Sequence, residues 1–225
     1  MILSRKKIPP DVNVCIKIND RILRRVNETI FLGVTLTEKI NWQTQINNIT
    51  KKVSKYNGII YLLRNILNQQ TLKKIYLTLI NPHLTYCNIL WGSTFKTHLY
   101  PLLIAHKKLL RTITFSRKYA HTEPLYRQTQ ILKLNQLNTL CVAQFVFKII
   151  NNLIHSKILY TFVSTIHNVP LRDPLRLRPP YAATTQRQQS VVSHGCRIWN
   201  ALNNETKTSQ SLSVFKKRIK LSFFN

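Results

Sequence analysis

Residues 12–36 alternate apolar and polar side chains with a period near two, and from residue 37 the period lengthens to that of a helix. The runs VNVCIKI, RILRRV and TIFLGVTL read as short antiparallel strands. Asn19-Asp20 is the expected hairpin tip, because both residue types tolerate turn conformations. Gly33 within the last run predicts a bulge or a close backbone approach. Thr37 is the expected N-cap of the first helix. Beyond it Trp42, Ile46, Ile49, Val53, Tyr56, Ile60, Leu63 and Leu67 recur in alternating steps of four and three, which is one helical seam. Lys51, Lys52, Lys55 and Arg64 lie off that seam. Gly58 falls mid-helix, where glycine costs about 1 kcal/mol relative to alanine, so a close helix crossing is expected there.

A second helix is predicted from about Gln70, with Leu72, Ile75, Tyr76, Leu79 and Ile80 inward and Lys73 and Lys74 outward. Asn81-Pro82 interrupts it, and proline at a first helical position suits a restart, so HLTYCNILWG reads as one further buried helix ending at Gly92. Leu99, Leu102, Leu103, His106, Leu109, Leu110 and Ile113 then share a face, opposite Lys107, Lys108 and Arg111. From about Asn135 to Leu153 the chain is nearly all apolar in its second half and reads as the central helix of a bundle. Residues 166–190 hold four of the nine prolines, and no helical period survives them; this basic segment is expected either to wrap the bundle or to be loosely ordered. Leu212, Phe215, Ile219 and Phe223 form a last stripe beside Lys216, Lys217, Arg218 and Lys220. The fold class is mainly α: a small N-terminal antiparallel β-sheet or hairpin, a multi-helix bundle, an extended Pro-rich basic segment and a C-terminal amphipathic helix.

Charge changes what the helices mean. The 225 residues carry 34 Lys and Arg against 7 Asp and Glu, a formal net charge of +27. Such a surplus calls for an anionic partner, nucleic acid or a membrane surface. Because the basic residues are interleaved with apolar periodicity, the surplus is not a disordered tail. Residues 39–122 contain no Asp or Glu, so the polar faces bearing Lys51, Lys52, Lys55, Arg64, Lys73, Lys74, Lys107, Lys108 and Arg111 have a single sign. They are read as surfaces that track phosphates without reading bases, rather than as merely solvated faces. A membrane-surface role for residues 212–223 is a weaker reading, since that helix is short for the purpose. No apolar run approaches the roughly 20 residues of a membrane span, and Met1-Ile2-Leu3 runs straight into Arg5-Lys6-Lys7 without a signal peptide. An intracellular location, cytoplasm or nucleus, is expected.

Catalytic constellations are missing from the pattern. Asp11, Asp20, Glu28, Glu38, Glu123, Asp173 and Glu205 stand singly, whereas two-metal phosphoryl transfer needs carboxylates that converge on magnesium. His121 with Glu123 could act as an acid–base pair, but capping of a turn before Pro124 explains the same residues more simply. Cys15, Cys87, Cys141 and Cys196 are widely spaced without zinc-ligand signatures and read as small buried hydrophobes in a reducing compartment. No glycine-rich phosphate loop occurs.

The ordered motifs FLGVTLTEKINWQTQI, KKVSKYNGIIYLLR, TLKKIYLTLINPHLTYCNILWG, KKLLRTIT, AHTEPLY, LKLNQLNTL and GCRIWNAL together resemble the region after the palm in reverse transcriptases of non-LTR retrotransposons, the jockey-like LINE elements. The resemblance covers about residues 1 to 220. It implies that Phe31, Leu32 and Gly33 belong to a primer-grip hairpin, that residues 1–36 are a remnant of the palm edge, and that residues 37–165 form a thumb-like bundle. Residues 166–225 would follow as a basic extension and terminal helix. It further implies a template–primer duplex of RNA or DNA as partner. The family's aromatic-alanine-aspartate-aspartate motif does not occur here, so the chain is expected to be an inactive C-terminal piece of an RNA-directed DNA polymerase. It would bind backbone but no cofactor, magnesium belonging to the palm. The alternative is a stand-alone, non-enzymatic, basic nucleic-acid-binding helical protein.

Overall fold

The computed structural model describes residues 17–19, 21–22, 25–158, 160–165 and 173–224. Two small antiparallel hairpins open the chain. In the first, β1 (Lys17–Ile18) pairs with β2 (Arg21–Ile22) across a tip where Asn19 has φ +45°; residues 12–16 and Asp20 lie outside the described residues. In the second, β3 (Glu28–Phe31) pairs with β4 (Val34–Thr37), Phe31 opposite Val34. Gly33 is therefore no bulge inside a strand. With Leu32 at φ +47° and Gly33 at φ +76° it completes a two-residue turn of the mirror-image type whose twist matches that of paired strands.

Thr37 ends β4 and does not cap the first helix. Its hydroxyl accepts from the Asn41 amide at 2.9 Å and donates to the Asn41 carbonyl at 3.0 Å, closing the turn that precedes α1 (Gln43–Leu63). The predicted seam of α1 is realised: Ile46, Ile49, Val53 and Ile60 are buried, and Trp42, Tyr56, Leu63 and Leu67 pack against them. Gly58 is exposed, and a Cβ added there would meet nothing within 4 Å. The close crossing expected at Gly58 is absent; the neighbouring α-helix is met instead by Asn57, about 100° round the helix, which accepts from the Thr112 hydroxyl at 2.9 Å.

The second helix departs from its predicted face for a geometric reason. After α2 (Gln69–Ile75) the residues Tyr76–Ile80 form a π turn, closed by the Asn81 amide on the Tyr76 carbonyl. In an uninterrupted α-helix Leu84 would point about 120° away from Leu72; the extra residue of a π turn rotates it back by about 100°. Leu72, Tyr76, Ile80 and Leu84 thus line one buried row, and Leu79 is turned outward, half exposed. The predicted helix through Gly92 is also divided, into α3 (Asn81–Thr85, with Pro82 at its start) and α4 (Asn88–Trp91), because Tyr86 is extended and Cys87 is left-handed. The freed carbonyls are used: Trp91 Nε1 donates to Tyr86 O at 3.0 Å and Asn88 Nδ2 to Leu84 O at 2.8 Å. Gly92 is required here by close approach, since a Cβ would lie 2.4 Å from Asn88 Oδ1 and 2.5 Å from Asn138 Nδ2.

Helix α5 (Lys96–Ile113) lies along α1 and buries Leu102, His106, Leu109, Leu110 and Ile113 as patterned. A loop and α6 (Thr122–Thr129) lead to α7 (Leu134–Ile150), the central helix, which packs against α3, α4, α9 (Val191–Asn200) and α11 (Leu212–Ser222). Phe147 of α7 stacks on Phe215 of α11 at 4.3 Å between ring centres. Between them the Pro-rich segment, over its described residues 173–190, wraps the bundle: Leu177 is fully buried and bridges Phe162, and the Asn200 side chain both accepts from Leu177 N and donates to Leu177 O. Two further helices are single turns, α8 (Thr185–Gln188) and α10 (Asn204–Lys207). Cys196 is buried as expected, while Cys87 and Cys141 are only half-buried. No helix among the described residues is long and apolar enough to cross a membrane.

Candidate nucleic-acid interface

The hairpin tip is held rigidly although its side chains face outward. Ile30, Phe31 and Leu32 are all more than three-fifths exposed. At the base of the hairpin, Val34 is buried, the Thr35 amide donates to Gln45 Oε1 at 2.9 Å, and Asn48 Nδ2 donates to Thr35 Oγ1 at 3.2 Å. At the tip, the Tyr86 hydroxyl donates to Leu32 O at 2.5 Å, and its ring would lie 3.7 Å from a Cβ at Gly33. The break between α3 and α4 is what brings Tyr86 there. The Phe31-Leu32-Gly33 turn is thus fixed between α1 and the α3–α4 link.

Because Gln45 and Asn48 clamp the hairpin to the first turns of α1, the lysines that follow stand at a set distance from it. Lys51, Lys52 and Lys55 lie about 9–15 Å beyond Gln45 along the helix axis, and all three are exposed. Lys52 faces His83 of α3: burial first, and then the Lys52 charge, hold the His83 imidazole below its ordinary range. His83 also meets the Tyr56 hydroxyl at 3.4 Å. Among the described residues no carboxylate pairs with these lysines.

The remaining predicted basic positions have differing environments. Lys74 and Lys108 are exposed; Lys73 is half-buried. Lys107 is half-buried in the wall of a cleft of about 610 Å³ that also takes in Glu123 and Lys133. Glu123 is held below the usual carboxylate range chiefly by its hydrogen bond with Lys133, and in smaller part by the Lys133, Arg127 and Lys107 charges. Arg111 is an internal tie, its Nε donating to Ala120 O at 2.9 Å and pinning the loop after α5. Arg64 caps α1, with its guanidinium carbon 5.5 Å from the Tyr61 ring centre and 5.3 Å from that of Phe115. The structure therefore brings Lys52 to His83, Lys107 to Glu123 and Arg64 to Phe115. Tyr86 and Phe115 went unread in the sequence. Tyr61, three residues before Arg64 on the same helix face, was the one readable signal.

Burial favours the neutral form of His106 and of two cysteines. His106 is fully buried between Tyr76 (Nε2 to hydroxyl 2.9 Å) and Tyr126 (Nδ1 to hydroxyl 3.0 Å), and burial pushes its pKa down to about 4. Burial likewise pushes the Cys141 and Cys196 thiols up to about 11. His121 precedes α6 without a side-chain cap bond, while Glu123 is engaged by Lys133 at 2.5 Å, so the two do not form an acid–base pair. Glu38 pairs with Arg25, and Asp173 with the buried Lys207 at 2.5 Å. Among the described residues no three His, Cys, Asp or Glu side chains converge to hold a metal.

Comparison with known proteins finds curated relatives. The chain is 29% identical over 123 residues to the RNA-directed DNA polymerase from mobile element jockey of Drosophila melanogaster, and 25% identical over 123 residues to that of Drosophila funebris. Each match covers 53% of this chain and 13% of the relative, so the chain corresponds to a small part of those proteins. No protein-family model matches the chain, and no solved structure matches it significantly. The resemblance to jockey-like reverse transcriptases carried by the ordered sequence motifs is borne out by these relatives.

Proposed function

We propose that this chain grips the sugar-phosphate backbone of a template–primer duplex, RNA or DNA, as the thumb-side part of a jockey-like RNA-directed DNA polymerase, and that it contains no polymerase centre of its own. The observation that carries the reading is the fixed juxtaposition of the Phe31-Leu32-Gly33 tip with exposed Lys51, Lys52 and Lys55, in a stretch with no Asp or Glu from residue 39 to 122. A rigid turn with exposed backbone permits close approach to a strand end, and point charges on one helix face follow phosphates without sequence information. Glu38, Glu123 and Asp173 are each engaged by a single base, which supports the absence of a carboxylate pair for magnesium.

The test is a triple charge reversal, Lys51→Glu, Lys52→Glu and Lys55→Glu, with duplex binding followed by fluorescence anisotropy. Affinity should fall alike for every duplex sequence while helix content stays constant, because the three side chains are exposed. If about 6 to 10 phosphates are contacted, the unmodified chain should lose roughly 10³- to 10⁵-fold in affinity between 50 and 200 mM salt. Unchanged affinity after the triple reversal, or a flat salt response, would overturn the assignment.

A further inference from the structure

Where α1 and α5 end side by side, they carry a second cluster that the duplex-gripping reading does not use. Tyr61 (58% exposed) and Phe115 (42%) both lie against the Arg64 guanidinium. Phe115 sits in a left-handed backbone at φ +56°, which a bulky side chain rarely adopts. The loop enforces it: Ser116 N donates to Arg111 O at 3.0 Å, Thr114 and Ser116 hydroxyls meet at 2.9 Å, and the Arg111 side chain ties down Ala120. An aromatic ring is thereby held at the surface instead of folding into the core. The same loop repeats the pairing of cation and ring, with Lys118 Nζ 5.4 Å from the ring centre of Tyr119, which is 84% exposed. No carboxylate among the described residues pairs with Arg64 or Lys118.

We propose that Tyr61, Arg64 and Phe115, with Lys118 and Tyr119 beside them, form a stacking platform for the unpaired bases of single-stranded nucleic acid. Exposed rings offer a π-face to any base, and the cations between them attract the connecting phosphates. Duplex bases are already stacked on one another, so only a single strand can present the complementary faces. The charge selects the occupant: an apolar protein partner would not need a patch in which each ring is matched to an uncompensated cation. The inference rests on the nucleic-acid reading above but locates a distinct site for unpaired template.

The test compares the full chain's affinity for a labelled single strand of about twelve nucleotides with its affinity for an abasic strand of equal length, which keeps the phosphates and lacks the bases. The natural strand should bind tighter by roughly 5- to 150-fold per stacked base. Tyr61→Ala and Phe115→Gly should each reduce that preference, and the two combined with Tyr119→Ala should erase it; the glycine also relaxes the left-handed backbone, so loss of fold is not the expected cause. Tyr61→Phe and Phe115→Tyr should retain it. Equal affinity for natural and abasic strands would overturn the platform while leaving backbone binding in place. Binding to neither strand and to no duplex would overturn both readings.

Discussion

Acidification should destabilise this protein through His106, and the size of the effect follows from its burial. An unfolded histidine has a pKa of about 6.5, whereas His106 in the fold is pushed down to about 4 because no water reaches it to solvate a charge. Above pH 6.5 neither state is protonated and the difference contributes nothing. Between pH 6.5 and 4 the unfolded chain takes up a proton that the folded chain refuses, so stability falls as the pH falls. At about 1.4 kcal/mol per unit, the loss reaches about 3 kcal/mol by pH 4, a large share of the 5–15 kcal/mol typical of a domain. His83 and His194 are also lowered by burial and contribute in the same direction. The His106 share is isolated by the triple variant Tyr76→Phe, His106→Leu, Tyr126→Phe, which removes the whole hydrogen-bonded row at once and leaves no orphaned hydroxyl. Urea melts followed by circular dichroism at pH 7.5, 5.5 and 4.5 should show a shallower pH slope in the variant. Equal slopes, or an NMR titration placing His106 near 6.5, would refute the argument.

Gly58→Ala should stabilise the protein by about 1 kcal/mol, since the helix gains a better former and the added methyl meets nothing; a lowered urea midpoint would show a contact that the fold does not contain. Asp173→Ala should cost about 3–5 kcal/mol because it strands the Lys207 ammonium, whose side chain is 1% exposed. Adding Lys207→Met to that variant should recover most of the loss in the same thermal melts, and failure to recover would mean that Asp173 acts through something other than this ion pair.

The sequence by itself determined the elements whose signal is periodic. The seam from Trp42 to Leu67, the face of α5 from Leu99 to Ile113 and the stripe from Leu212 to Phe223 were legible because a helix facing a core must repeat apolar residues on one side, whatever that core contains. The single-signed charge of residues 39–122 was legible for the same reason: it is a property of composition. The π turn at Tyr76–Ile80 was decided elsewhere. A pure α period places Leu79 inward, and only the need to keep Leu84 in line with Leu72 against neighbouring helices favours the wider turn. The break at Tyr86-Cys87 is likewise tertiary, its freed groups satisfied by Trp91, Asn88 and the hairpin tip. The sequence marks Arg64 as one more basic position, and only the fold sets Phe115, from a separate helix end, against it and makes Arg111 a tie to Ala120. Periodicity reports which side of an element is covered, but not by what, and these side chains took their roles from partners far away in the chain.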